Sequence, residues 1–397
     1  MIEPGPRPAL QPVGDRDVLD GLRRALDGGP PIAPLSSDPA ERAQSLAMLR
    51  IEEQVAEPDA AAVVSTSGST GRPKGVVLSR AAIQASASLT HTRLGGAGDW
   101  ALALPAHYVA GLMVLARTIV AGTRAHPVRA DLADLPSVLP ALTGRRYLAL
   151  VPTQLIRALA QPEITAALAG FDAVLVGGAA LDADARGQAE DQGINVVETY
   201  GMSEACGGCV YDGLPLDGVS IDLEPVTGRI LITSPTIFSG YRLRPDLTSE
   251  ALHDNTLRTP DRGCWSADRR LEILGRLDSA VITGGFVVDL DEVERTARRW
   301  PLLDGASLAV IAIPDAERGM MIIAVTNGSG SLAELRDFLA SELPAYAAPR
   351  RLVHLNALPR TAGGKIDRIR LVADLSSAHL RRDQSPAATA DLLRTHR

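Results

Sequence analysis

Between Ala60 and about Tyr200 the chain alternates short apolar runs with longer segments of mixed polarity. The runs are Ala61 to Ser65, Trp100 to Leu104, Tyr147 to Val151, Ala173 to Val176 and Ile194 to Val197. Short apolar runs bounded by turn residues read as buried strands, and the stretches between them as helices. Ser79, ahead of an Ala-rich segment ending near Thr92, reads as a helix N-cap, so the Gly-rich stretch before it is expected to bridge a strand and a helix. Such alternation is a βαβ signature and predicts a mostly parallel sheet with helices on both faces, which binds ligands at the carboxyl ends of its strands. Segments 66–75, Pro105 to His107, Gly177–Gly178 and Glu198 to Glu204 each follow a strand directly and should meet at one edge.

The pattern changes from about Val219 to Ile273, where short strands separated by turn residues predict a small antiparallel subdomain. After Gly275-Arg276-Leu277-Asp278 it becomes a compact unit, with strands over 280–283, 307–313, 321–326 and 351–355 and helices over 289–299 and 331–342. The predicted class is α/β: a large N-terminal domain (1–277) of mixed, mostly parallel sheets with an antiparallel subdomain, then a small mobile α+β domain (278–375). A polar, Ala-rich tail (376–397) follows, and the hinge is placed near Asp278.

Composition narrows the function classes. The chain has 397 residues, of which 46% are hydrophobic but only 3% aromatic, so its core must be built from Ala, Val, Leu and Ile. A net charge of −7 argues against a nucleic-acid or anionic-membrane surface. No apolar run reaches the roughly 18 residues of a membrane span, and the Pro-rich start MIEPGPRPAL lacks the regions of a signal peptide. A soluble, cytoplasmic protein without membrane insertion is the expectation. Cys206, Cys209 and Cys264 make no disulfide framework, and the Cys206-Gly-Gly-Cys209 spacing lacks the second pair that would complete a zinc site.

The densest chemistry lies in Ser65-Thr-Ser-Gly-Ser-Thr-Gly-Arg-Pro-Lys-Gly75. Gly68, Gly71 and Gly75 permit close backbone approach to phosphate oxygens, Thr66, Ser67, Ser69 and Thr70 offer hydroxyl donors, and Lys74 adds a cation. The stretch departs from the Walker loop, in which lysine is followed by Ser or Thr; here Gly75 follows. With LPAHYVAGL (104–112), GGAAL (177–181), ETYGMSEACGG (198–208), RTPDRG (258–263), GRLDSAVITGG (275–285) and LPRTAGGKIDR (358–368), it resembles the adenylate-forming superfamily of acyl-CoA synthetases, carrier-protein adenylation domains and luciferases. The resemblance covers roughly residues 60 to 370 in family order. Members usually carry more chain before the phosphate loop than the 64 residues present here, so pocket walls supplied by that part elsewhere are expected to be missing or replaced by a neighbouring subunit.

The resemblance implies ATP, Mg²⁺ and coenzyme A as reactants and cofactors, and residue roles to match. Thr66, Ser67, Gly68, Ser69, Thr70, Gly71 and Lys74 would hold the β- and γ-phosphates. Glu204, with Thr66, would hold the metal. Gly177, Gly178, Ala179, Glu198, Thr199 and Tyr200 would receive adenine, and Asp261 and Arg276 the ribose, although Pro260 stands where the family prefers glycine. Lys365 would neutralise carboxylate and α-phosphate as they react. Asp278, Gly284 and Gly285 would form the hinge and the loop that replaces the lysine for thioester formation. His107 would line the acyl pocket with a catalytic part, beside Tyr108, Gly201 and Ser203.

The short length and the wording of HYVAGL and of 198–219 narrow the resemblance to the branch that activates an aromatic dicarboxylic acid for transfer to CoA, with a homodimer left open. Another aryl- or short-acyl-CoA ligase, or a stand-alone carrier-protein adenylating enzyme, is the alternative. A non-catalytic nucleotide-binding protein would be expected to have lost one of Lys365, Glu204, Asp261 and Arg276, and all are present.

Overall fold

The computed structural model describes residues 9–66, 73–315, 317–361 and 366–383. Ser67, Gly68, Ser69, Thr70, Gly71 and Lys365 therefore lie outside the described residues, as does the tail beyond 383. The chain divides into two units. One comprises 1–259 with 263–272, the other 260–262 with 273–397.

The first unit opens with β1 (Gln11–Gly14), a 3₁₀ turn at Asp15–Asp17, α1 (Val18–Leu26), β2 (Ile32–Leu35) and α2 (Pro39–Leu49). Asp38 caps α2 by accepting from the Glu41 amide at 2.9 Å, with Pro39 as its first residue. Next come β3 (Ala60–Thr66), β4 (Lys74–Ser79) and α3 (Arg80–Arg93), the last capped by Ser79 through the Ala82 amide at 3.0 Å.

Here the structure corrects one expectation. The Gly-rich stretch joins two antiparallel strands, with Val63 opposite Val77 and Thr66 opposite Lys74, and α3 begins only after β4. Val76, Val77 and Leu78 are fully buried, because an apolar run of that length gains more by joining a sheet than by extending the helix N-terminally. A short strand from far along the chain, Gly240–Tyr241, closes this five-stranded sheet against β4. Ala61 to Ser65 therefore belongs to a different sheet from the other predicted strands.

Those others correspond to β5 (Gly98–Leu102), which α4 (Val109–Ala121) follows, β7 (Arg145–Leu150), β8 (Ala173–Gly177) and β9 (Val196–Met202), and three strands that the apolar pattern did not mark join them: β6 (Ala125–Pro127), β10 (Gly207–Tyr211) and β11 (Leu214–Pro215). They form a seven-stranded sheet in the order β11-β10-β9-β8-β7-β5-β6. Its strands run parallel from β9 through β6, with Leu148 opposite Val174 and Val174 opposite Val196, and β10 lies antiparallel to β9. Leu150, Leu155, Ile164 and Val176 form one core layer. Trp100, Val114, Tyr147 and Tyr211 belong to another, where three of the chain's few aromatics are fully buried together. A third sheet contains Ser220–Leu223, Arg229–Thr233, Leu252–His253 and Thr256–Trp265, the small subdomain expected from the pattern.

The second unit carries an antiparallel sheet of Phe286–Asp289, Ala280–Thr283, Gly319–Thr326 and Leu308–Asp315, extended by Arg351–His354 parallel to Gly319–Thr326. Helices Leu290–Ala297 and Leu332–Leu339 pack on it through Val293, Ala297, Leu335 and Leu339. The carboxylate of Glu294, 4% exposed, accepts from the Val310 amide at 2.8 Å and from Arg298 and Arg368. A buried charge needs this degree of pairing to be tolerated.

Candidate active site

The β3–β4 hairpin carries Thr66 and Lys74 at its open end, where the Thr66 hydroxyl donates to the Lys74 carbonyl at 3.4 Å. The Lys74 ammonium lies 4.8 Å from the centre of the Tyr241 ring, and the Tyr241 hydroxyl donates to Glu204 Oε1 at 2.7 Å. Glu204 sits in a 3₁₀ turn after β9, fixed by its carbonyl accepting the Phe238 amide at 2.9 Å. Tyr241 is placed by pairing with Val76 and by a Thr248 hydroxyl that accepts from its amide at 2.9 Å. Thus Thr66, Lys74 and Glu204 meet through a residue that no motif had marked.

This corner offers one carboxylate, hydroxyls and a lysine. Among the described residues no group of three or more His, Cys, Asp or Glu side chains is placed to hold a metal. That donor set suits Mg²⁺, which is bound through one or two carboxylates plus phosphate oxygens and water rather than by an all-protein cage.

Around β8 and β9 the surface is backbone. A Cβ at Gly177 would lie 2.2 Å from Thr199 Oγ1, and one at Gly201 only 1.9 Å from the Gly207 carbonyl oxygen. Gly178 adopts φ +82°, which favours glycine, and both Gly178 and Ala179 are exposed. Tyr200 is half-buried against the core. The Glu198 side chain joins an ion cluster, 3.6 Å from Arg186, with its amide donating to Asp212 at 3.0 Å. Burial raises its pKa, opposed by Arg186. Ser203 opens the Glu204 turn. Cys206 and Cys209 are both buried, and burial pushes their thiols up, Cys209 to about 12, which leaves them protonated and inert.

His107 and Tyr108 precede α4. Gly111 is required there because a Cβ would lie 2.2 Å from the Pro105 carbonyl oxygen. The His107 ring is 10% exposed, with Nδ1 3.2 Å from Asp15 and Nε2 3.8 Å from Glu41. The Tyr108 hydroxyl donates to Glu41 at 2.6 Å, and burial, reinforced by that carboxylate, raises its pKa far above the phenol range. Asp15 and Glu41 come from the part of the chain ahead of β3, which therefore reaches the predicted pocket residues from within the same unit.

Deeper on α4 lies Arg117. It is 4% exposed, stands 4.8 Å from the Trp100 ring centre, and its buried Nε has no hydrogen-bond partner among the described residues. No ion pair to it forms among the described residues, and burial lowers its pKa. Nearby His91 is held down to about 4 by burial and by Arg117. Sequence reasoning missed Arg117, Asp15, Glu41 and Tyr241. Only the first had a signal, a lone charge within the apolar run 109–121.

In the second unit, Asp261 and Arg276 stand 3.7 Å apart. Gly284 and Gly285, at φ +56° and +83°, make the two-residue turn between paired Thr283 and Phe286. Both positive angles fit the hairpin turn that follows strand twist. The Arg360–Ile366 bridge and the Asp367 amide, which donates to the Pro359 carbonyl at 2.8 Å, hold the segments flanking 362–365.

Residues 22–242 match the family model described as AMP-binding enzyme, and 302–365 match the AMP-binding enzyme C-terminal domain. The chain belongs to the AMP-binding enzyme family. Among curated AMP-binding enzymes it is 42% identical over 369 residues to a probable 2-succinylbenzoate–CoA ligase of Mycobacterium tuberculosis, covering 89% of this chain and 94% of that protein. It is 30% identical to the 2-succinylbenzoate–CoA ligase of Escherichia coli over 76% of this chain and 66% of that one. Of solved structures, ATP-bound MatB from Rhodopseudomonas palustris aligns with TM-score 0.72 and 26% identity, over 94% of this chain and 80% of MatB.

Proposed function

We propose that this AMP-binding enzyme is an ATP-dependent acid–CoA ligase that converts o-succinylbenzoate, ATP and CoA to o-succinylbenzoyl-CoA, AMP and pyrophosphate in menaquinone biosynthesis. In the first step a carboxylate oxygen attacks the α-phosphorus and pyrophosphate leaves. In the second, the CoA thiolate attacks the acyl-adenylate carbonyl and AMP leaves. Both steps bring anions together, so positioning and charge neutralisation carry the catalysis. Mg²⁺ bound at Glu204 would neutralise phosphate charge, while Lys74 and Thr66 orient the triphosphate and Tyr241 fixes the Glu204 carboxylate. Lys365 is assigned the cation of the first step, and the Gly284–Gly285 loop the second.

The observation that carries the substrate reading is Arg117. A guanidinium this deeply buried beside Trp100, without a carboxylate partner among the described residues, suits an anionic group brought by the substrate. An acid with a second carboxylate on an aromatic ring supplies both that anion and a ring for the apolar wall. The similarity to named 2-succinylbenzoate–CoA ligases supports the same choice.

The test is a panel of acids with ATP, Mg²⁺ and CoA, following AMP and thioester by mass. Preferential thioester formation from o-succinylbenzoate is expected; acyl-adenylate without thioester would favour a carrier-protein loader. Lys365→Ala should suppress adenylation yet spare thioester formation from supplied acyl-adenylate, and equal loss in both would overturn its assignment.

A further inference from the structure

Asp15 has no place in the motifs, yet it touches the histidine expected to line the acyl pocket. It sits in the 3₁₀ turn between β1 and α1, and its Oδ1 lies 3.2 Å from His107 Nδ1 across 92 positions of sequence. The ring is further confined by Tyr108, whose ring centre is 4.3 Å away and whose hydroxyl is held by Glu41. Nε2 is buried and has no hydrogen-bond partner among the described residues, with Glu41 at 3.8 Å beyond bonding reach.

A carboxylate can only accept, so the Asp15 contact requires the proton on Nδ1. The other neutral tautomer would set two lone pairs against each other at 3.2 Å and bury an unpaired Nε2–H. With Nδ1–H committed, Nε2 is the nitrogen left for the acyl pocket, as acceptor in the neutral ring or second donor in the cation. We propose that Asp15 is a positioning residue, which fixes the tautomer and rotamer of His107 so that Nε2 faces the reacting acid. This rests on the acyl-pocket reading of His107. It gives the segment between β1 and α1 a task beyond packing, that of orienting a residue of the first half-reaction.

The experiment combines kinetics of acyl-adenylate formation with ¹⁵N resonances of the labelled His107 ring, in wild type, Asp15→Asn, Asp15→Glu, His107→Ala and the Asp15→Asn/His107→Ala double variant. Wild type should show a protonated Nδ1, and Asp15→Asn a shift toward the Nε2–H form. Asp15→Asn should lower kcat/KM by at least about 10-fold, what the loss of a hydrogen bond to a charged group costs, with partial rescue by Asp15→Glu. It should add nothing once His107 is alanine. An unchanged ¹⁵N pattern in Asp15→Asn, or losses that multiply in the double variant, overturns the proposal. Full activity of His107→Ala would sink the acyl-pocket reading and the positioning role with it, whereas loss in His107→Ala without loss in Asp15→Asn sinks positioning alone.

Discussion

Replacing Arg117 by methionine should separate substrate recognition from stability. The guanidinium is 4% exposed, and its identified favourable contact is the Trp100 face at 4.8 Å. Taking an unpaired ion out of water costs several kcal/mol, of which a desolvated cation–π contact returns about 2. Methionine keeps the stem and fills similar volume without the charge, so Arg117→Met should hold or raise stability by about 1–3 kcal/mol. For a domain of this size each kcal/mol moves Tm by roughly 2–4 °C. Binding should move the other way. Loss of a buried charge-assisted pair with the substrate's ring carboxylate costs about 2–5 kcal/mol, or roughly 30-fold to several-thousand-fold in kcat/KM for o-succinylbenzoate. The analogue lacking that carboxylate, 4-oxo-4-phenylbutanoate, should be turned over equally by both proteins. Pyrophosphate release on the two acids, with thermal melts of both proteins, measures all three quantities. An Arg117→Met protein that loses several kcal/mol of stability yet keeps its preference for the dicarboxylate would refute the reasoning.

Other outcomes follow from particular contacts. Tyr241→Phe deletes the 2.7 Å bond to Glu204 but keeps the ring beneath Lys74; hydrogen bonds to charged groups are worth about 1.5–3 kcal/mol, so KM for MgATP should rise ten- to hundredfold at nearly constant Tm, and an unchanged KM would remove Tyr241 from the site. Glu294→Ala strands Arg368, Arg298 and the Val310 amide in the second unit, a loss of about 3–5 kcal/mol that hydrogen exchange should report as faster in that unit only. His91, held near 4 in the folded state against 6.5 unfolded, gives a pH signature. Above 6.5 both states are neutral; between 6.5 and 4 only the unfolded chain takes the proton, so stability falls as pH drops, by up to roughly 3 kcal/mol. Urea midpoints across that window should slope in wild type and flatten in His91→Gln; identical slopes would place the titration elsewhere.

Much of this molecule was legible in one dimension. The apolar runs at Ala61, Tyr147 and Ala173 became β3, β7 and β8 within a residue or two, and Ser79 caps α3, because strand burial and N-capping depend on neighbours close in sequence. The glycines at 177, 201 and 111 stand where another atom would meet a Cβ within about 2 Å, and their place in motifs was visible even though the colliding atoms were not.

What the sequence by itself determined, then, is the local elements, the motif residues and the reaction class those residue types can serve. Tertiary structure alone decided that β3 and β4 pair in their own sheet, that Tyr241 links Lys74 to Glu204, and that Asp15 meets His107. Each of these joins residues distant in the chain. Hydrophobic period and capping chemistry act over one or two turns, whereas such contacts depend on where whole elements pack, and packing is set by the burial of every element at once.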